Sequence, residues 1–138
     1  MRSMVRVRNI LLSNIYISGI VGTRIYVGFY ATYIKKVHPL ITISFQMAET
    51  DPSISNIEES LINIDIWGDT NVQEIFDIYD KKVSGVSYGV LNLLHGKVFD
   101  NDDFSLWFWE TGDKMVIYDD DVGKYKLHSV FKMKGIRK

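Results

Sequence analysis

The residues of this 138-residue chain best suited to chemistry lie in one stretch, NDDFSLWFWETGDKMVIYDDD at 101–121, where aspartate blocks bracket two indoles. Three kinds of chemistry would use such a set. A calcium loop needs Asp or Asn at its positions 1, 3 and 5, Gly at 6 and Glu at 12. Counted from Asp100, those positions hold Asp100, Asp102, Phe104, Ser105 and Thr111, so the spacing fails and no metal site is expected. A carbohydrate-active or carbohydrate-binding site would pair Glu110 with Asp119 and use Trp107 and Trp109 as a platform. A docking surface would use the indoles as anchors and the carboxylates as a steering rim.

The rest of the chain adds little catalytic material. His38 precedes Pro39, His95 precedes Gly96 at an expected helix end, and His128 sits on a polar strand face. None has a partner at ligand or dyad spacing, and no serine stands in a nucleophile elbow. The absence of cysteine excludes a thiolate nucleophile, a disulfide scaffold and Cys-type zinc. GIVGTR and GVSYG lack the setting of a phosphate loop. Neither catalytic residues nor a cofactor are expected, and the sequence leaves open whether the protein is an enzyme.

The elements that must position these residues follow from periodicity. A single domain spanning 1–138 is expected, since the length suits one core. Two-residue alternation in MVRVRNILL, IYISGIVG, TRIYVGFYATYI and LITISFQM predicts N-terminal strands. DPSISNIEESLINI predicts a helix: Asp51 as cap, Pro52 at the first position, Ser55 and Glu58 at capping-box spacing, and an apolar stripe of Ile54, Ile57, Leu61 and Ile64. Thr70 and Gln73 open a second helix through NVQEIFDIYDKKV, with Gly85 as its stop, and VSYGVLNLLHGK predicts a short helix ending at Gly96. Phe104–Glu110 and Lys114–Asp119 read as strands of a hairpin turning at TGD, and YKLHSVFKM as a final strand; only 135–138 reads as a tail. The fold class is α+β: an antiparallel sheet of about six strands, two to three helices on one face, in the order β-β-β-α-α-β-β-β. The apolar run after Arg2, Arg6 and Arg8 is too short and polar for a membrane span or signal segment, and a cytoplasmic location without membrane association is expected.

Net charge is only −1, but it is segregated. All 17 acids lie between Glu49 and Asp121, against four bases there, leaving −13; residues 1–48 and 122–138 each carry six bases and no acid. If folding keeps the signs apart, two binding surfaces result. The acidic one, with aromatic anchors, comprises Glu74, Asp77, Asp102, Asp103, Trp107, Trp109, Glu110, Asp113, Asp119 and Asp120, and fits a protein with a basic surface such as a toxin or nuclease. In size, lack of cysteine, α+β order and acidity of one half, the chain resembles small immunity proteins and antitoxin-like inhibitors, which implies inhibition by protein binding. The alternative surface, Arg6, Arg8, Arg24, Tyr26, Tyr30, Lys124, Lys126 and Lys132 on one sheet face, would bind single-stranded nucleic acid by stacking and phosphate contacts. A homodimer is compatible with either.

Overall fold

In the computed structural model, which describes residues 2–28, 37–50, 57–69 and 71–137, the chain is a mixed α+β fold. It starts with two helices, α1 (Arg2–Ser13) and α2 (Ile15–Val21), and continues with β1 (Ile25–Val27), β2 (Leu40–Thr50), β3 (Ile57–Gly68), α3 (Val72–Tyr79), β4 (Lys81–Val83), β5 (Val86–Tyr88), α4 (Val90–Leu94), β6 (Val98–Asp100), β7 (Phe104–Asp119) and β8 (Lys124–Arg137). Six strands form one curled sheet in the order β1-β2-β3-β8-β7-β6, and β4 and β5 form a separate hairpin. The sheet is mixed rather than antiparallel, because β1 runs parallel to β2. Among the described residues there are four helices, not two to three, and the observed order α-α-β-β-β-α-β-β-α-β-β-β replaces the expected one. Among the described residues, no helix is long and apolar enough to cross a membrane.

The N-terminal segment is helical where strands were expected. Met4, Val7 and Leu11 recur at helical spacing and are fully buried, and this stripe outweighs the brief Val5/Val7 alternation. The Asn14 side chain accepts from the Ile17 amide at 3.0 Å and starts α2, which buries Ile17 and Val21. The opposite correction applies to residues 57–64, which were expected to be helical and belong to β3. Ile62, Ile64 and Ile66 are buried at two-residue spacing, and β3 is paired on both sides, with β2 and with β8. Residues 51–56, which carry the expected cap, lie outside the described residues, as does Thr70; α3 is capped by Asn71, whose side chain accepts from the Glu74 amide at 3.2 Å. Lys81, Lys82 and Gly85 belong not to the end of α3 but to the β4–β5 hairpin, whose turn residues Ser84 and Gly85 both have positive φ.

The third correction reshapes the candidate site. TGD is not a turn. Strand β7 runs on through it, paired to β8 at both ends, with a bulge where Glu110 faces Phe131 and Lys114 faces Ser129. The Thr111 hydroxyl donates to the Val130 carbonyl at 2.9 Å within the bulge. The true turn follows Asp119, closed by the Gly123 amide on the Asp119 carbonyl at 2.7 Å. Residues 135–137, expected to be a tail, complete β8.

The helices lie on one face of the sheet. Their apolar residues, among them Met4, Leu11, Ile75, Ile78, Val90 and Leu94, form one buried cluster with Ile25, Ile41, Ile43, Ile62, Ile64, Leu106, Phe108, Leu127, Phe131 and Met133. The curl has an identifiable clasp. The Arg6 guanidinium donates to the carbonyls of Phe104 and Phe99, both at 2.8 Å, at the β6–β7 end of the sheet. Arg8 donates through Nε to the Ile25 carbonyl, at 2.5 Å, in the opposite edge strand. Residues two apart on a helix point to nearly opposite sides at about 100° per residue, so one helix reaches both margins. Laid flat, six strands at about 4.8 Å spacing would span roughly 24 Å; the sheet bends round α1 instead.

Gly89 joins β5 to α4 at φ 113°, and a Cβ there would meet the Ile78 and Tyr79 carbonyl oxygens at 2.6 Å. Gly89→Ala is therefore expected to cost more than about 3 kcal/mol. Arg6→Ala, which strands two carbonyls in partly buried positions, is expected to cost about 2 kcal/mol, with Arg6→Lys recovering at most half because an ammonium lacks the fork. Urea denaturation followed by circular dichroism measures all three.

Candidate functional site

Strand β7 determines where the candidate residues go. Successive side chains alternate between sheet faces, so Leu106 and Phe108 enter the buried cluster while Trp107 and Trp109 project from the face away from the helices. The two indoles meet edge to face with ring centroids 6.2 Å apart. Trp109 is 39% exposed, and its outward neighbours Val98, opposite Trp107 on β6, and Met115, beyond the bulge, are 55% and 58% exposed. The half-buried Ile117 continues the row. The result is an exposed apolar stripe along β7.

The carboxylates do not form one surface around it. Asp102 and Asp103 stand before β7, and Asp119 and Asp120 at its far end. Sixteen extended residues cover roughly 50 Å of strand, so the two acid blocks are far apart. Asp113 is exposed in the bulge. Glu110 lies on the helix-side face, opposite Phe131. It therefore shares no platform with the indoles, and the pairing expected for carbohydrate chemistry is not assembled. Glu74 and Asp77 are on α3, where Asp77 pairs with Lys81 at 3.7 Å and receives the Gln73 amide at 2.9 Å.

Glu110 instead ties the helical layer to the sheet. The Tyr79 hydroxyl donates to its carboxylate at 3.0 Å, and its backbone amide donates to His95 Nδ1 at 2.9 Å, which puts the neutral imidazole proton on Nε2. Burial first, then the Glu110 charge and hydrogen bond, push the Tyr79 hydroxyl far above the usual phenol range. A hollow of about 260 Å³ opens beside this group, lined by Asp80, Lys82, Ser87, Leu91, Asn92, His95, Lys97 and Glu110. Among the described residues, no three His, Cys, Asp or Glu side chains are grouped to hold a metal ion.

The basic residues are mostly engaged within the fold. Arg6 and Arg8 belong to α1 rather than to a sheet face, and with Arg24, which donates to the Pro39 carbonyl at 2.9 Å, they cap backbone carbonyls. Tyr26 packs against the Leu40–Trp67 cluster, and Tyr30 lies outside the described residues. On the outward face of β8, Lys124 is bonded to Asp69, Lys126 lies over the Trp67 ring at 4.9 Å, and Lys134 lies over Trp107 at 5.7 Å with Glu59 at 4.0 Å. Lys132, opposite Trp109, forms no ion pair among the described residues. The expected nucleic-acid face is thus dispersed. By contrast, Asp113, Asp119, Asp120 and Asp121 form no ion pair among the described residues, so the acidic tips keep their field.

Two histidines meet acids on this side. His128 Nδ1 lies 2.7 Å from Asp65; burial raises the Asp65 pKa, and the His128 charge and hydrogen bond partly offset it. His38 lies 3.8 Å from Asp69 with its side chain 5% exposed. The indole Nε1 of Trp67 donates to Thr42 at 3.0 Å and fixes the floor beside these groups. Sequence reasoning placed the indoles on one strand face and missed Tyr79, His95, Asp65 and His38, whose neighbours are remote in the chain. The chain matches no protein-family model, and no curated protein matches its sequence.

Desolvation lowers the His38 pKa, outweighing the favourable Asp69 charge, with Lys124 and Arg24 adding to the depression. A depressed folded pKa gives stability that is present above the unfolded value, about 6.5, and lost as pH falls through the lower folded value. His38→Gln is expected to flatten the stability profile below about pH 6.5, read as a smaller fall in urea midpoint towards pH 5 than in the wild type.

Proposed function

We propose that the chain is a non-catalytic protein-binding domain that docks a partner along β7, with Trp109 as its central anchor. The observation that supports this most directly is the exposed row on the outward face of β7 and β6, where Trp109, flanked by Val98 of β6 and Met115, stands on a strand paired with β8 rather than on a loop. Large aromatic side chains of this kind carry most of the energy of a protein interface. The charge distribution supports a basic partner, since Arg6, Arg8 and Arg24 cap backbone carbonyls and Lys81, Lys124 and Lys134 are ion-paired, while among the described residues the acidic tips at Asp113 and Asp119–Asp121 form no ion pair. An inhibitor that covers the positive groove of a toxin or nuclease would act in this way, by fast steered association followed by burial of the indole.

The reading predicts that extracts of the native host yield one stoichiometric basic protein on the immobilised wild type. Trp109→Ala is expected to weaken that complex about 30-fold, equivalent to roughly 2 kcal/mol, with unchanged circular dichroism. The triple change Asp113→Lys, Asp119→Lys and Asp120→Lys is expected to slow association and reduce its salt dependence. Nuclease-sensitive material in place of a protein, or affinity indifferent to Trp109, would refute the proposal.

A further inference from the structure

We infer that the far half of β7, Lys114–Asp119, accepts an extended, basic-flanked segment of another protein as an added strand. The inference rests on the protein-binding reading and names the chemistry of the partner, but it concerns the strand's edge rather than its outward face. Strand β6 pairs with only Ser105–Trp107, and the link before it adds Phe108, through Gly96 and Lys97. From Lys114 onward, β7 pairs with β8 on one side, and among the described residues no strand lies on the other.

An edge of this length offers main-chain donors and acceptors to a further strand, and strand addition is a recurring mode of peptide recognition. The local sequence favours it. Met115, Val116, Ile117 and Tyr118 are uncharged and strand-forming, Met115 and Tyr118 are 58% and 49% exposed on opposite faces, and nothing in the strand interior breaks the ladder. The flanks supply selectivity. Asp113 precedes the segment and Asp119, Asp120 and Asp121 follow it, while the nearby Lys114 is held over the Tyr79 ring at 5.1 Å. Such flanks deter pairing with an identical acidic edge and attract Lys or Arg on both sides of an alternating apolar strand.

The test uses the full chain and two synthetic peptides, one alternating Val and Thr with two lysines at each end, the other with glutamates in place of the lysines. Amide hydrogen exchange by NMR should show alternate amides within 114–119 slowed at least tenfold by the lysine peptide, and the glutamate peptide should bind at least tenfold more weakly. Val116→Pro should abolish the protection; because proline could unfold the strand, the exposed pair Met115→Lys and Tyr118→Lys, with unchanged circular dichroism, should also lower affinity at least tenfold. No slowing at 114–119, slowing confined elsewhere, equal binding of the two peptides, or slowing that grows with protein concentration without peptide, as a second copy on this edge would give, overturns the inference. Trp109→Ala should leave peptide protection intact. Loss of peptide binding with Trp109-dependent capture preserved would remove the edge inference alone.

Discussion

The architecture depends on a guanidinium–carbonyl clasp. Arg6 and Arg8, a short step apart on α1, reach the β6–β7 margin and the β1 margin of the sheet. Sheet margins expose backbone carbonyls that ordinary packing leaves to solvent, and a charged donor satisfies them more strongly than a neutral one. Between the two anchors, Met4, Val7 and Leu11 press into the isoleucine-rich floor of the sheet. The curl and the burial of the helical layer follow from one helix holding both sides of a sheet that would otherwise lie open.

This clasp also explains the charge pattern. Six bases without an acid in the first 48 residues look like a binding surface when read as text. In the fold, three of them terminate backbone groups, and Lys124, Lys126 and Lys134 of β8 lie over rings or beside acids. Cations used to close a structure are unavailable to a polyanion, while carboxylates left at turns and in a bulge still project their field. Segregation along the chain therefore translates into arginines and several lysines engaged by carbonyls, rings and acids, and into anions left at turns and in the bulge, rather than into two opposed surfaces.

The legible parts of the sequence were those where local pattern and tertiary pairing agreed: β2, the presence of a helix at α3, the short helix before Gly96 and the final strand β8. The N-terminus was misread because β-branched residues satisfy both periods over short windows, and only contact with the sheet selects the helical one. Residues 57–64 failed in the opposite sense, since a stripe at helical spacing coexisted with Ile62, Ile64 and Ile66, and pairing on both sides decided for the strand. Misreading TGD had the largest functional effect. A turn there would have brought Asp102 and Asp103 beside Asp119 and Asp120, whereas a continuous strand sends them apart. The indole face survived because it needs only alternation within seven residues, while Tyr79–Glu110–His95 and Asp65–His128 are pairings of distant segments that no local pattern encodes.

The bulge in β7 adds two residues, not one, since four steps from Glu110 to Lys114 match two from Phe131 to Ser129. An even insertion conserves phase. Trp109 before it and Met115 after it stay on the same side, and Phe108 and Val116 both stay inward. Length variation at this point is therefore tolerable only in even steps: a single added or deleted residue would turn the far half of the strand inside out, carrying Met115 and Ile117 into the interior and Val116 into water.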